Sequence, residues 1–160
     1  MPTALDIDPA TVNQLDTGRY VLGGFYTWAG RTFRFGQVYA TDAIDVQDGW
    51  CAKFVAGTGY VVTPKQEIGP GVTGRPPFGV AVGGIRAGNY GMFLVDGIHE
   101  KAYVGTAPVA GNKITKSTVW GTGTEGLMQP TTVYTDNTVG VVLQTGWPLL
   151  QSKCFIHIGA

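Results

Sequence analysis

Along most of this chain a glycine, proline, asparagine or aspartate recurs every few residues, and between these breaks lie only short β-branched and aromatic runs. Helices need longer uninterrupted stretches, because an interior glycine or proline costs about 1 to 3 kcal/mol of helix stability. Strands fit between the breaks, so the spacing predicts an all-β fold. With 25 glycines in 160 residues, turn residues are supplied at about twice the usual rate. The one helix signal lies near the start, where Asp8 can cap, Pro9 suits the first helical position and Ala10 to Leu15 run without a breaker. At most one or two short helices are expected.

Candidate strands are Arg19 to Leu22, Arg31 to Phe35, Tyr60 to Thr63, Gly79 to Val82, Gly91 to Val95, Ala102 to Val104, Lys113 to Val119, Gly126 to Gln129, Val139 to Leu143 and Cys154 to Ile158. In the second of these, Phe33 and Phe35 alternate with Thr32 and Arg34, which gives the strand one buried face. So many short strands are satisfied by a compact β-barrel or tulip-like packing of one domain over residues 19–160. Residues 1–18 are sparse in large apolar groups and read as an extended N-terminal arm that packs little against its own domain. Ile68 to Pro77, with Pro70, Pro76 and Pro77, reads as a loop.

A degenerate repeat runs through the domain, over about 57–97 and 123–159. Gly57 to Pro64, then Phe78-Gly-Val-Ala-Val82, then Met92-Phe-Leu-Val-Asp-Gly97 is echoed by Gly123 to Pro130, Val139-Gly-Val-Val-Leu143 and Cys154-Phe-Ile-His-Ile-Gly159. Two related β units in one domain are expected.

The charge balance limits the partners. Lysine plus arginine equals aspartate plus glutamate at 11 each, so no cation excess exists to release counterions from nucleic acid. No apolar run reaches the length of a membrane helix. The start, Met-Pro-Thr-Ala-Leu-Asp, has no basic segment before an apolar core, so synthesis in a cytoplasm is expected. There Cys51 and Cys154 serve as small buried hydrophobes, with a bridge between them left open.

No catalytic constellation is visible. Gly121, Gly123 and Gly126 match dinucleotide-loop spacing, but Pro130 and the β-branched run after it leave no room for the helix that such a loop must open. His99, among Asp96, Glu100 and Lys101, reads as a solvated hairpin turn, and His157 as a strand residue on the face opposite Ile156 and Ile158. Cys154 and His157 fall on opposite faces of one strand, which speaks against a shared metal. Asp6 and Asp8 share a face only if the arm is extended. No enzyme activity, cofactor or metal is expected. Phe25, Tyr26, Trp28, Phe33 and Phe35 cluster within eleven residues and form either a core, a subunit interface or a glycan-stacking platform.

Phe78 to Val82 leading into Met92 to Val95, the Ala107-Pro-Val-Ala-Gly-Asn-Lys-Ile114 turn, and Val139 to Leu143 followed by Cys154 to Ile158 together form a pattern. Over roughly residues 33 to 160 it resembles the small head-decoration, or cement, proteins of tailed bacteriophages. The resemblance implies a non-enzymatic structural virion protein. Such a protein binds the outside of a mature capsid as a homotrimer, at three-fold or quasi-three-fold positions, and holds the major capsid protein against the pressure of packaged DNA. In that setting Thr3, Ala4, Leu5, Asp6 and Ile7 are the expected capsid contact, adding a strand to a sheet edge of the partner. The alternative reading is a glycan-binding β module of a phage tail fibre or secreted adhesin, built on the aromatic cluster.

Overall fold

The computed structural model describes residues 2–55, 59–65, 76–105, 107–116, 125–132, 138–145 and 151–158. Its strands, in chain order, are β1 (Thr3–Ala4), β2 (Asn13–Gln14), β3 (Phe25–Trp28), β4 (Arg31–Val38), β5 (Cys51–Phe54), β6 (Val61–Thr63), β7 (Pro77–Ala81), β8 (Tyr90–Tyr103), β9 (Lys113–Lys116), β10 (Met128–Thr131), β11 (Thr138–Gln144) and β12 (Gln151–His157). Among the described residues the only helical segment is a single 3-10 turn, Pro9–Thr11, capped by Asp8, whose carboxylate accepts from the Ala10 N–H at 2.9 Å. The all-β expectation holds. Gly121 and Gly123, most of the 68–77 loop, residues 117–119 of a candidate strand and the outer ends of the repeat lie outside the described residues.

The pairings form two linked circuits. In the first ring, β4 pairs antiparallel with β8 and parallel with β6, while β5 pairs antiparallel with both β6 and β7, and β7 with β8. The second ring repeats the scheme with β8 in the place of β4. There β8 pairs antiparallel with β12, and Val104, just past its end, bridges parallel to Met128 of β10. Strand β9 pairs antiparallel with β10 and β11, and β11 with β12. Strand β8 is thus the last member of one ring and the first of the next, which is why it runs for 14 residues.

Sequence reasoning divides β8 in two, because Asp96, Gly97, Glu100 and Lys101 look like a turn. The strand continues through them because β12 takes up pairing at Asp96 where β7 leaves off after Leu94. Gly97 sits at φ +132 there, with the Arg31 side chain over it where a Cβ would point. Arg19 to Leu22, expected as a strand, is a run of turns: Gly18 takes φ +54 and the Tyr20 N–H donates to Thr17 O. Strands β3 and β5 were not expected. A turn at Ala29 and Gly30, both with positive φ, folds β3 back onto β4 in the manner of a two-residue hairpin.

The N-terminal segment corrects the expectation of a loosely packed arm. Strand β1 pairs parallel with β3, the Leu5 N–H donates to Thr27 O at 2.8 Å, and Leu5, Pro9 and Val12 are buried. Strand β2 pairs with the start of β8. Leu5 and Val12 find their core in the aromatic layer of Tyr20, Tyr26 and Phe35, residues that follow them in sequence.

Each ring is filled by its own side chains. Val38, Ala52, Val62, Phe78, Ala81 and Phe93, from all five strands of the first ring, belong to one cluster. Val104, Ile114, Met128, Val142 and Cys154 occupy the second ring as part of a larger cluster that continues through Leu94, Phe33 and Phe35 to the N-terminal segment.

Candidate functional site

The five aromatics of the 25–35 region part ways according to strand alternation. Tyr26 is 7% exposed and Phe33 and Phe35 are fully buried, so these three are core, and a five-ring surface platform does not exist. Tyr20 stacks edge-on to Tyr26 and tilted on Phe35, completing that layer. Phe25, on the other face of β3, and Trp28, at the margin of this same core, keep partial exposure.

The opposite face of the same hairpin holds an arrangement that sequence reasoning missed. The Arg34 guanidinium lies 4.8 Å from the ring centroids of both Phe25 and Tyr60, 5.4 Å from Phe78 and 5.8 Å from Phe54. Its Nε donates to Gly23 O at 3.1 Å. Beside it opens a cavity of about 260 Å³, lined by Phe25, Phe54, Phe78, Pro77, Val95 and Ile158 among others. The signal in the sequence was an arginine alternating with two phenylalanines, which shows a buried side for Phe33 and Phe35 but not that distant rings cover the other side too.

His99 is the second departure. It is 5% exposed in the middle of β8, where a solvated turn was expected. The Lys101 N–H can only donate, so its 3.1 Å bond to Nδ1 makes that nitrogen an acceptor and places the ring proton on Nε2. Nε2 then donates to Ala81 O at 3.0 Å, with Asp48 Oδ1 at 3.3 Å. Asp48 also accepts from the Gly83 N–H at 2.9 Å. Burial works against the Asp48 charge, but the bonds from His99 and Gly83 outweigh it and hold its carboxyl below the usual aspartate range. These bonds staple the end of β7 and the Asp48 turn to the centre of β8.

His157 stands where it was expected, exposed on the face opposite buried Ile156, with its Nδ1 3.2 Å from Asp96 Oδ1. Cys51 and Cys154 are buried and not bridged to each other, and burial pushes the Cys154 thiol up to about 12, far from the thiolate needed for chemistry. Among the described residues no group of three or more His, Cys, Asp or Glu side chains is placed to hold a metal. Asp6 is committed to an exposed ion pair with Arg19 at 3.1 Å, and Asp8 to the cap of the 3-10 turn, so neither faces the other across a cleft.

Of the expected capsid contacts, Thr3, Ala4, Asp6 and Ile7 are exposed and Leu5 is not. Among the described residues, strand β1 ends the sheet and pairs with β3 alone. Because the Leu5 N–H bonds inward to Thr27, the alternation of a strand turns the Ala4 N–H and C=O to the open edge. A second surface feature lies on the second ring. Ile98 and Phe155, 39% and 40% exposed, are cross-strand partners on β8 and β12, and Phe155 pairs in turn with half-buried Val141 on β11. Arg31 and Glu100 line the shallow groove beside them.

Comparison with family models, with curated proteins and with solved structures finds no match for this chain.

Proposed function

We propose that this protein is a structural component of a phage virion that binds the outer surface of the mature capsid as a homotrimer and stabilises it against internal DNA pressure. The observation that carries the reading is the N-terminal edge. Strand β1 presents an Ala4 main chain with no partner and no covering element among the described residues, with exposed Thr3 before it and exposed Asp6 and Ile7 after the buried Leu5. An open edge of this kind is a template for strand addition from a partner. It differs from a free arm in being already held in extended form, so less ordering entropy is lost when a capsid strand joins it. Pro2 and Pro9 bound the segment and confine pairing to the residues between them.

Self-association is assigned to the Ile98, Phe155 and Val141 stripe. Three neighbouring apolar side chains on one solvent-facing sheet, flanked by one cation and one anion, suit a rotated copy of the same surface. The glycan-binding alternative is less favoured, because Tyr26, Phe33 and Phe35 are buried in the core.

The test is Ala4→Pro. It removes the outward-facing N–H while leaving the Leu5 to Thr27 bond in place. Co-sedimentation with expanded capsids should fall at least tenfold, with the melting temperature nearly unchanged. Full capsid binding by a folded Ala4→Pro protein rejects the edge as the contact. Phe155→Glu, followed by analytical ultracentrifugation, tests the trimer separately.

A further inference from the structure

Along β4 the residues Arg34, Gly36 and Val38 point into the first ring. Val38 lies in its core cluster, and a Cβ on Gly36 would fall 2.8 Å from Phe78 Cε1, so the glycine leaves space for that ring. Arg34, one step further out, stands at the ring's mouth. Its charge is stabilised by the faces of four aromatic rings. Those faces do not satisfy the N–H groups, which lie in the guanidinium plane. One of the five is used by Gly23 O; among the described residues no carboxylate or other acceptor meets the remaining four. They border a cavity of about 260 Å³ whose walls are phenylalanine, proline, valine and isoleucine.

A half-buried planar cation whose paired donors meet no acceptor among the described residues, set in an apolar wall, suits one class of ligand. A carboxylate matches the fork with two parallel charge-assisted bonds. Phosphate or sulfate would bring more negative charge than one arginine balances, into walls that cannot solvate the excess. The volume lies just under the range of about 300 to 1,000 Å³ for drug-sized ligands, which fits a fragment with a single ring or a short branched chain. We propose that the mouth of the first ring binds a small organic carboxylate carried on an aromatic or branched aliphatic body, with its carboxylate on Arg34 and its body against Phe25, Phe54 and Phe78. This site is independent of the capsid reading and stands on the opposite face of the β3–β4 hairpin from the core that anchors β1.

The experiment is an NMR titration of the full chain with phenylacetate, phenylacetamide and acetate in parallel. Phenylacetate should bind at least about tenfold more tightly than either control, because the amide lacks the charge and acetate lacks the body. Its shift changes should centre on Arg34 Nε–H and the Phe25 and Phe54 rings. Arg34→Gln should abolish the preference for acid over amide, and Arg34→Lys, which keeps the charge without the fork, should retain only part of it. Equal binding of acid and amide by the unaltered protein overturns the proposal without any variant, as does an unchanged preference in folded Arg34→Gln.

Discussion

The two rings use the same pairing scheme and fill it differently. Equivalent positions follow from the registers: Val38 pairs with Val62 as Val104 pairs with Met128, Ala52 with Gly79 as Ile114 with Gly140, and Ala81 with Phe93 as Val142 with Cys154. The first ring therefore sets one large side chain, Phe93, against Ala52 and Ala81, where the second sets a small Cys154 against Ile114 and Val142. Val38 and Val104, and Gly79 and Gly140, are the same residue at equivalent places, whereas at the other four places bulk is exchanged between positions, as close packing with sequence drift allows. Closure differs as well. The first ring is sealed by a parallel pairing of β4 with β6 and flanked by β3 and β1, whereas among the described residues the second is sealed by the single Val104 to Met128 bridge. The exposed apolar stripe lies on the less protected ring.

The largest effect that tests this comparison is Phe93→Ala. With Ala81 as its pairing neighbour on β7 and Ala52 in the same cluster, little bulk is at hand to fill the space, and the loss should be about 3 to 5 kcal/mol in urea unfolding. Cys154→Ala, at the equivalent place, should cost no more than about 1 kcal/mol, because Ile114 and Val142 already hold the volume. Both variants should unfold in one transition, since β8 belongs to both rings. Two resolved transitions would show that the rings are separate folding units.

Gly79 and Gly140 are the repeated glycines, and each lies against the next strand. A Cβ on Gly79 would fall 2.6 Å from Phe93 Cβ, whereas on Gly140 it would meet the Phe155 carbonyl oxygen, which is main chain and held in the β11–β12 ladder. Gly140→Ala should cost about 3 kcal/mol and Gly79→Ala less, within the usual range for overpacking. A larger loss at Gly79 in thermal melts would reverse the order of rigidity argued for the two hairpins.

The repeat was legible because its glycines and valines mark β7 and β11, where Gly79 and Gly140 each lie close against the next strand. Strands β5 and β9, which complete the correspondence, share no residue pattern: Cys51 to Phe54 and Lys113 to Lys116 are equivalent only through their partners. The Arg34 site was hidden for the same reason, since three of its four rings come from β5, β7 and the residue before β6, and only the fold brings them to β4. His99 misled because charged neighbours signal a turn, while its burial follows from the docking of β7 and the Asp48 turn against β8. The N-terminal segment misled in the other direction, because a two-residue strand and one leucine carry too little pattern to announce a docked edge.

Leu5→Ala measures how firmly that edge is held, and therefore how much the first ring gains from its flanking strands. Leu5 lies at the margin of the core, so the cost should be at the low end of the range for buried leucine, about 2 kcal/mol. Removing residues 1–8 should cost at least as much, because it also deletes the β1–β3 pairing. If truncation leaves the melting temperature unchanged, the segment is a free arm after all and ring closure does not depend on it.

The smallest effect concerns the junction of the rings. Asp48 binds His99 and the Gly83 N–H, and its carboxyl is held below its ordinary range, so the folded protein releases this proton more readily than the unfolded chain does. A carboxylate depressed in this way contributes stability above the unfolded-state value of about 4, and the contribution disappears as pH falls through the lower folded-state value. Asp48 is half exposed, so solvent screening limits its contribution to less than about 1 kcal/mol. Asp48→Asn should therefore melt slightly below the unaltered protein at pH 7, and the gap should close progressively below about pH 4. A gap that persists unchanged at pH 2 would mean that the side chain acts through its shape and neutral hydrogen bonds, and that no charge is needed where β7 hands the sheet over to β12.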